Sequence, residues 1–187
     1  MNFEILSNFE WYNDPENVRF ETSDMIIYAK SGTDFWQSIH HGFKKDNGHF
    51  FFSRQNGDFL LTIKWQFETL EKFSQCGIMV RADERNWLKA SLMNDTGEND
   101  MLAVSLTVNG HSDWSGFHLN QEIHELWFRM QRVGDDYMLF YSTDGVIYHK
   151  LRTFYLKSYE DIKVGAYIAS PNQEGFAAAL NDICFGV

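Results

Sequence analysis

The segment Phe59-Leu60-Leu61-Thr62-Ile63-Lys64-Trp65-Gln66-Phe67 places an apolar residue at every second position, a period that suits a half-buried strand and no helix. The signature recurs along the chain. Phe50-Phe51-Phe52, Gly77-Ile78-Met79-Val80-Arg81, Leu102 to Val108, Leu126 to Met130, Tyr137 to Ser142 and Val164 to Ile168 are short, rich in β-branched or aromatic residues and bounded by turn formers. Between them lie Asn56-Gly57-Asp58, Asn94-Asp95-Thr96-Gly97, Asn109-Gly110, Gly134-Asp135-Asp136 and Thr143-Asp144-Gly145, compositions that reverse a chain. With two prolines and no alternating helical segments, the pattern predicts an all-β antiparallel sandwich rather than a βαβ sheet. One domain over residues 1–187 is expected, with at most a helical turn around Ser158-Tyr159-Glu160-Asp161.

Composition limits the partners. A chain of 187 residues with 44% apolar and 17% aromatic content can bury roughly 70% of its unfolded surface and needs no disulfide or metal to hold it. Lys and Arg number 16 against 26 Asp and Glu, a net charge of −10. Such a surface repels phosphate backbones and anionic headgroups, and no basic run overrides it locally, so nucleic acid and membrane are excluded as partners. Met1 to Asn8 lacks the basic and apolar halves of a targeting peptide, and no apolar run approaches the ~20 residues of a membrane span, so a cytoplasmic location is expected. Cys76 and Cys184, each in an apolar segment, are expected to be reduced core residues.

Strand parity separates a core face from a second face. Cys76, Ile78 and Val80 suit the core, leaving Gln75, Met79 and Arg81 on the other side; Leu88, Ala90 and Leu92 leave Trp87, Lys89, Ser91 and Met93. Leu102, Val104, Leu106 and Val108 leave Ala103, Ser105 and Thr107, and Leu126, Phe128 and Met130 leave Trp127, Arg129 and Gln131. If these strands are neighbours, one sheet face carries Trp87, Trp127, Arg81, Arg129, Lys89 and Gln75. Rings that stack on pyranose C–H faces beside planar polar groups that bond hydroxyls are what a sugar site requires. The same residues also suit tryptophans covering a core edge and cations neutralising an acidic surface. Asp34, Trp36, His40, His49, Asp113 and Trp114 form a second set placed at the rim, where loop anchoring is the alternative for the two tryptophans.

Seven short motifs in order resemble one known family: Thr33-Asp34-Phe35-Trp36, Asp46-Asn47-Gly48-His49, Gln75 to Arg81, Asn86-Trp87-Leu88-Lys89-Ala90, Ser112-Asp113-Trp114-Ser115, Tyr141 to Gly145, and Ser170-Pro171 with Gly175-Phe176. The chain is similar over nearly its whole length to the domain of unknown function 1349 family, also called regulation-of-enolase-like proteins. The resemblance implies a concanavalin A-like lectin/glucanase jelly roll with a concave face, and no established activity. The sequence departs from the family pattern where Ser74-Gln75-Cys76-Gly77 replaces Asp-Gln-Ala-Gly and where Met93 replaces a glutamate. Two carboxylates on the concave side are thereby missing.

Glycoside hydrolysis needs two carboxylates about 5 to 9.5 Å apart. Jelly-roll glucanases supply them from one strand, as Glu-x-Asp-x-x-Glu, and no such segment exists here; Glu68 and Glu71, Glu98 and Asp100, and Asp135 and Asp136 sit in turn-like segments. The seven histidines include no helical His-x-x-x-His, no paired cysteines accompany them, and His40-His41 in an extended chain face opposite ways. The loop Asn94 to Asp100 is the one calcium-like segment and reads equally as a turn. No nucleophile elbow or phosphate loop is present. The expectation is a non-catalytic lectin-like protein that binds a carbohydrate or related small molecule without cofactor or metal. Arg81, Arg129 and Lys89 suit an anionic sugar. A sugar hydrolase or lyase in the same groove, and a protein-interaction module regulating a sugar-metabolism enzyme, are the alternatives; sandwich edge strands leave pairing into a homodimer open.

Overall fold

The computed structural model describes residues 4–39, 42–68, 72–94, 100–119, 123–157, 161–172 and 174–186. After a 3-10 turn at Ile5–Asn8 come β1 (Glu10–Tyr12), β2 (Asn17–Phe20), β3 (Met25–Ala29), β4 (Phe35–Gln37), β5 (Lys44–Asp46), β6 (His49–Gln55), β7 (Phe59–Gln66) and β8 (Gln75–Asp83). The chain continues through β9 (Asn86–Asn94), β10 (Asp100–Val108), β11 (His111–His118), β12 (Glu125–Val133), β13 (Asp136–Ser142), β14 (His149–Tyr155), β15 (Ile162–Ala169) and β16 (Phe176–Gly186). Sheet I has the order β1-β6-β15-β8-β9-β10-β11 and sheet II the order β14-β13-β12-β7-β16-β3-β2, while β4 and β5 pair as a separate hairpin. The expected antiparallel sandwich forms, and among the described residues no helix is long and apolar enough to cross a membrane.

Alternation decides which residues meet between the sheets. Cys76, Ile78 and Val80 of β8, Leu88, Ala90 and Leu92 of β9, and Leu102 and Val104 of β10 pack against Leu61, Ile63 and Trp65 of β7 and Leu126, Phe128 and Met130 of β12. Complete burial of each valine, leucine, isoleucine, phenylalanine or methionine among them contributes about 1.5 to 3 kcal/mol. Asn109 and Gly110, with φ of 53° and 80°, make the two-residue reversal between β10 and β11 that Asn-Gly favours. Asn56-Gly57-Asp58 instead carries the chain from sheet I to sheet II. Cys184 corrects its core assignment: a bulge between Leu180 and Asp182 shifts the parity of β16, so Ile183 enters the core and Cys184 is exposed. Ser158 to Glu160 and Asp95 to Asn99, which hold the expected helical turn and the calcium-like loop, lie outside the described residues.

Candidate functional site

The β4–β5 hairpin lies over the outer face of sheet I because that face is itself aromatic. Phe35 is fully buried among Phe50, Phe52, Met79, Trp87 and Tyr167, with Trp87 and Tyr167 edge-on at 6.3 and 6.4 Å. Two ion pairs fasten the lid. Arg81 donates from Nη1 and Nη2 to Asp46 Oδ1 and Oδ2 at 2.7 and 2.9 Å, and Lys89 Nζ reaches Asp34 Oδ1 at 2.6 Å.

Beside the hairpin a cavity of about 600 Å³ opens, floored by Asp34, Gln75, Lys89, Ser91 and Ser105 and walled by Trp36, Phe43, Phe73, Met93, Trp114 and Pro171. Its floor is a connected polar network. Lys89 also donates to Gln75 Oε1 at 2.9 Å, and the same oxygen accepts from the Tyr167 hydroxyl at 3.3 Å. Burial holds the Tyr167 phenol well above its usual value, so it serves as a neutral donor. Asp34 Oδ1 further accepts the Phe35 amide at 2.8 Å, which leaves Oδ2 without a hydrogen-bond partner among the described residues. Ser105, 1% exposed, has an Oγ with no partner among those residues. A buried hydroxyl left unbonded costs about 1 to 3 kcal/mol, so the floor offers an unfilled hydrogen-bonding position. Trp36 is oriented by its indole N–H, which donates to the Ile39 carbonyl at 3.1 Å, and stacks on Phe43. Trp114 presents an exposed ring at the mouth.

Of the residues expected at the site, the cavity brings together Asp34, Trp36, Gln75, Lys89 and Trp114. The others go elsewhere, for identifiable reasons. Arg81 and Trp87 do lie on the same sheet face, but the hairpin covers them to 2% and 0% exposure. Trp127 and Arg129 correct the assumption of one shared face. Their strand β12 pairs with β7 and β13 in sheet II, so they point out on the opposite side of the sandwich. There Lys64 sits 4.5 Å over the Trp127 ring, and Arg129 bonds Thr62 and stacks on Tyr148. Asp113 is tied to Arg152. His40 lies outside the described residues. Ser105 and Ser91 complete the floor, with Tyr167 behind it bonded to Gln75; parity places both serines on the correct face, but a serine carries no signal that marks it as a site residue.

His49 is a structural linker rather than a rim residue. Its Nε2 accepts the Lys30 amide at 3.0 Å, so Nδ1 carries the proton and donates to the Asn13 carbonyl at 2.8 Å. Burial lowers its pKa below the ordinary imidazole value. Between the folded and unfolded pKa values the unfolded chain binds more protons, so stability falls as the pH drops below about 6.5. Urea midpoints at pH 7.5 and 5.5 are expected to show that decline in wild type and a smaller one in His49→Gln. Equal declines in the two proteins would remove His49 from the acid response.

Among the described residues no three His, Cys, Asp or Glu side chains converge as a metal site. Asp34 is the single carboxylate among the described lining residues. The chain is 26% identical over 177 residues, 95% of its length and 88% of the relative's, to a Saccharomyces cerevisiae protein named Regulation of enolase protein 1. A functionally unknown protein of known structure from the same yeast matches with a TM-score of 0.90 and 27% identity, covering 97% of both chains. The GH43 protein BlXynB of Bacillus licheniformis matches at TM-score 0.74 and 15% identity over 95% of this chain and 36% of that one. A legume lectin-like domain from Entamoeba histolytica matches at 0.64 and 7% over 100% and 92%. The last two likenesses are of fold alone. A family model described as a protein of unknown function (DUF1349) matches residues 11–186.

Proposed function

The chain belongs to the DUF1349 family, and from that premise we propose that its cavity binds the ring of an uncharged carbohydrate without transforming it. The carrying observation is the floor itself, the Asp34, Lys89 and Gln75 network with the unpartnered Ser105 hydroxyl, set beneath Trp36 and Trp114. Aromatic walls accept the C–H faces of a pyranose, and fixed donors and acceptors below them bond its hydroxyls. A volume of about 600 Å³ falls in the range of small-molecule sites, about 300 to 1,000 Å³.

Charge favours a neutral ligand over the anionic one that three basic residues suggest in the sequence. Lys89 is already neutralised by Asp34 at 2.6 Å, Arg81 is engaged by Asp46 beneath the hairpin, and Arg129 is on the other sheet. A uronate or sugar phosphate entering here meets no free cation of the described lining. Among the described lining residues hydrolysis by paired carboxylates finds one carboxylate, and that one is held by a lysine. The lectin-like neighbour lends the reading its fold precedent, which is an association and not a mechanism.

Calorimetric titration with neutral monosaccharides and their oligomers, uronates and sugar phosphates tests the reading. A neutral sugar is expected to bind, and Trp114→Ala is expected to weaken it about tenfold, or about 1.4 kcal/mol. Because Trp114 is 41% exposed, the melting temperature of that variant should stay within about 2 °C of wild type. Titrations that respond only to anions, or a sugar response indifferent to Trp114, would overturn the proposal. One observation favours a second reading, docking of a sugar-metabolism enzyme of the class the yeast relative's name points to. Val146 and Ile147 are 80% and 60% exposed on a loop whose amides are fixed by Asp144 Oδ1. Val146→Asp with Ile147→Asp would abolish such docking and leave sugar binding intact.

A further inference from the structure

Sheet I carries a row of cations that the sugar site does not use. Arg54 of β6 lies directly opposite Lys163 of β15, and Lys163 lies directly opposite Arg81 of β8. Like charges in cross-strand register destabilise a sheet unless something neutralises them. Arg81 is neutralised by the bidentate pair with Asp46. Arg54 uses only Nε, in an exposed pair with Glu10 at 2.9 Å, so its two terminal nitrogens carry no hydrogen bond among the described residues. Lys163 has no hydrogen bond and no ion pair among those residues; its Nζ lies 5.7 Å from the centre of the Phe52 ring. Burial and the two flanking guanidinium groups lower the Lys163 pKa, with Glu10 and Asp83 opposing them.

These donors border a second cavity of about 540 Å³, lined by Arg54, Lys157 and Lys163 and by Asp83 and Asp161. Asp83 is occupied, since its Oδ1 accepts the Arg85 amide and both its oxygens accept from Asn86 Nδ2. Among the described residues three cations and two carboxylates line the cavity; Arg54 is already paired through Nε with Glu10, and Lys163 has no ion pair among those residues. We propose that Lys163 and Arg54 bind a small oxyanion, the phosphate or carboxylate group of a free ion or of a larger metabolite, in this cavity. The free Lys163 ammonium and the unused edge of the Arg54 guanidinium supply charge-assisted donors to one anionic group. Such an anion offsets the repulsion along the row.

The test is a thermal-shift titration with inorganic phosphate from 0 to about 10 mM at fixed ionic strength and pH 7, where ion-exclusion effects on stability are small and non-saturating. Wild type is expected to show a saturable rise in melting temperature, reaching about 5 to 11 °C once the anion is in hundredfold excess over Kd. Lys163→Gln should lose the rise and, in chloride alone, melt no lower than wild type because the repulsion is relieved. Arg54→Gln should need at least tenfold more phosphate, and Trp114→Ala should respond as wild type, which separates this site from the sugar cavity. Glucose 6-phosphate run in parallel distinguishes the source: a midpoint equal to that of phosphate identifies the free ion, and a lower, Lys163-dependent midpoint identifies an esterified group. No saturable response in wild type, or an equal response in Lys163→Gln, overturns the site.

Discussion

Alanine at position 77 is expected to cost the protein on the order of 4 kcal/mol, among the largest effects a single methyl can have. The Gly77 carbonyl accepts the indole N–H of Trp65 at 2.9 Å, so its peptide takes part in a bond between the sheets, from a tryptophan that is 0% exposed. In that conformation a Cβ on residue 77 would stand 1.9 Å from the Ala90 carbonyl oxygen and 2.7 Å from Ser91 Cα. Both contacts are backbone of β9, so relief requires β8 and β9 to part, with no flexible side chain to move instead. For a chain of this size the loss corresponds to about 8 to 16 °C in melting temperature. Because Gln75 and Lys89 stand on those two strands, sugar binding should fall with it. Trp65→Phe separates the two contributions: it removes the indole donor without the clash and should cost about 1 to 3 kcal/mol. A Gly77→Ala protein within about 1 kcal/mol of wild type, by urea unfolding, would contradict the geometry.

Residue 77 also marks how far the sequence could be read. Alternation assigns the β8, β9, β10 and β12 side chains discussed above to their two sheet faces, because one polar face and one apolar face leave no second register, although Val108, read with the core set, ends β10 exposed to 42%. It does not say which sheet a strand joins. β12 shows the same pattern as β9, since both bury one face in a common core, and only hydrogen-bond pairing with β7 and β13 sends Trp127 and Arg129 to the far side. β11, with seven of its eight residues exposed, and β16, with its Ala-Ala-Ala start and its bulge, carry weak strand signals. In both, pairing overrides local propensity. The hairpin over sheet I is the other hidden element. Nothing local in Phe35 to Asp46 indicates that it will cover Arg81 and Trp87, because the ion pairs that fasten it, Asp46 to Arg81 and Asp34 to Lys89, span 35 and 55 positions. The site residues that were legible, Gln75 and Lys89 by parity and Asp34, Trp36 and Trp114 by motif, are those that the lid leaves around the cavity.

One of the two ion pairs that fasten that lid buries a guanidinium, which makes Asp46→Ala the second large effect. The Arg81 side chain is 3% exposed and Asp46 28%, so removing the carboxylate leaves a guanidinium with almost no water to replace it. The Tyr12 hydroxyl, which donates to Asp46 Oδ2 at 2.7 Å, loses its acceptor at the same time. What remains to Arg81 is the Tyr12 oxygen at 3.3 Å and the faces of Tyr12 and Phe35 at 4.5 and 5.6 Å, contacts that soften the loss without neutralising the ion. Breaking a buried pair from one side typically costs about 3 to 5 kcal/mol, whereas replacing both partners with apolar residues of similar size is often close to neutral. Asp46→Ala should therefore lose about 3 kcal/mol, and Arg81→Met with Asp46→Leu markedly less. The two unfolding curves compared give the penalty of the orphaned charge directly. The single variant should also free the hairpin, so Trp87 gains water and the tryptophan emission shifts to the red below the unfolding transition. Asp34 and Trp36 would leave the cavity wall with it, and neutral-sugar affinity would fall in Asp46→Ala although residue 46 lines no part of the site. If the single variant matches the double in stability and keeps its sugar affinity, the Arg81–Asp46 pair does not hold the lid, and the packing of Phe35 with the Lys89–Asp34 pair positions the site.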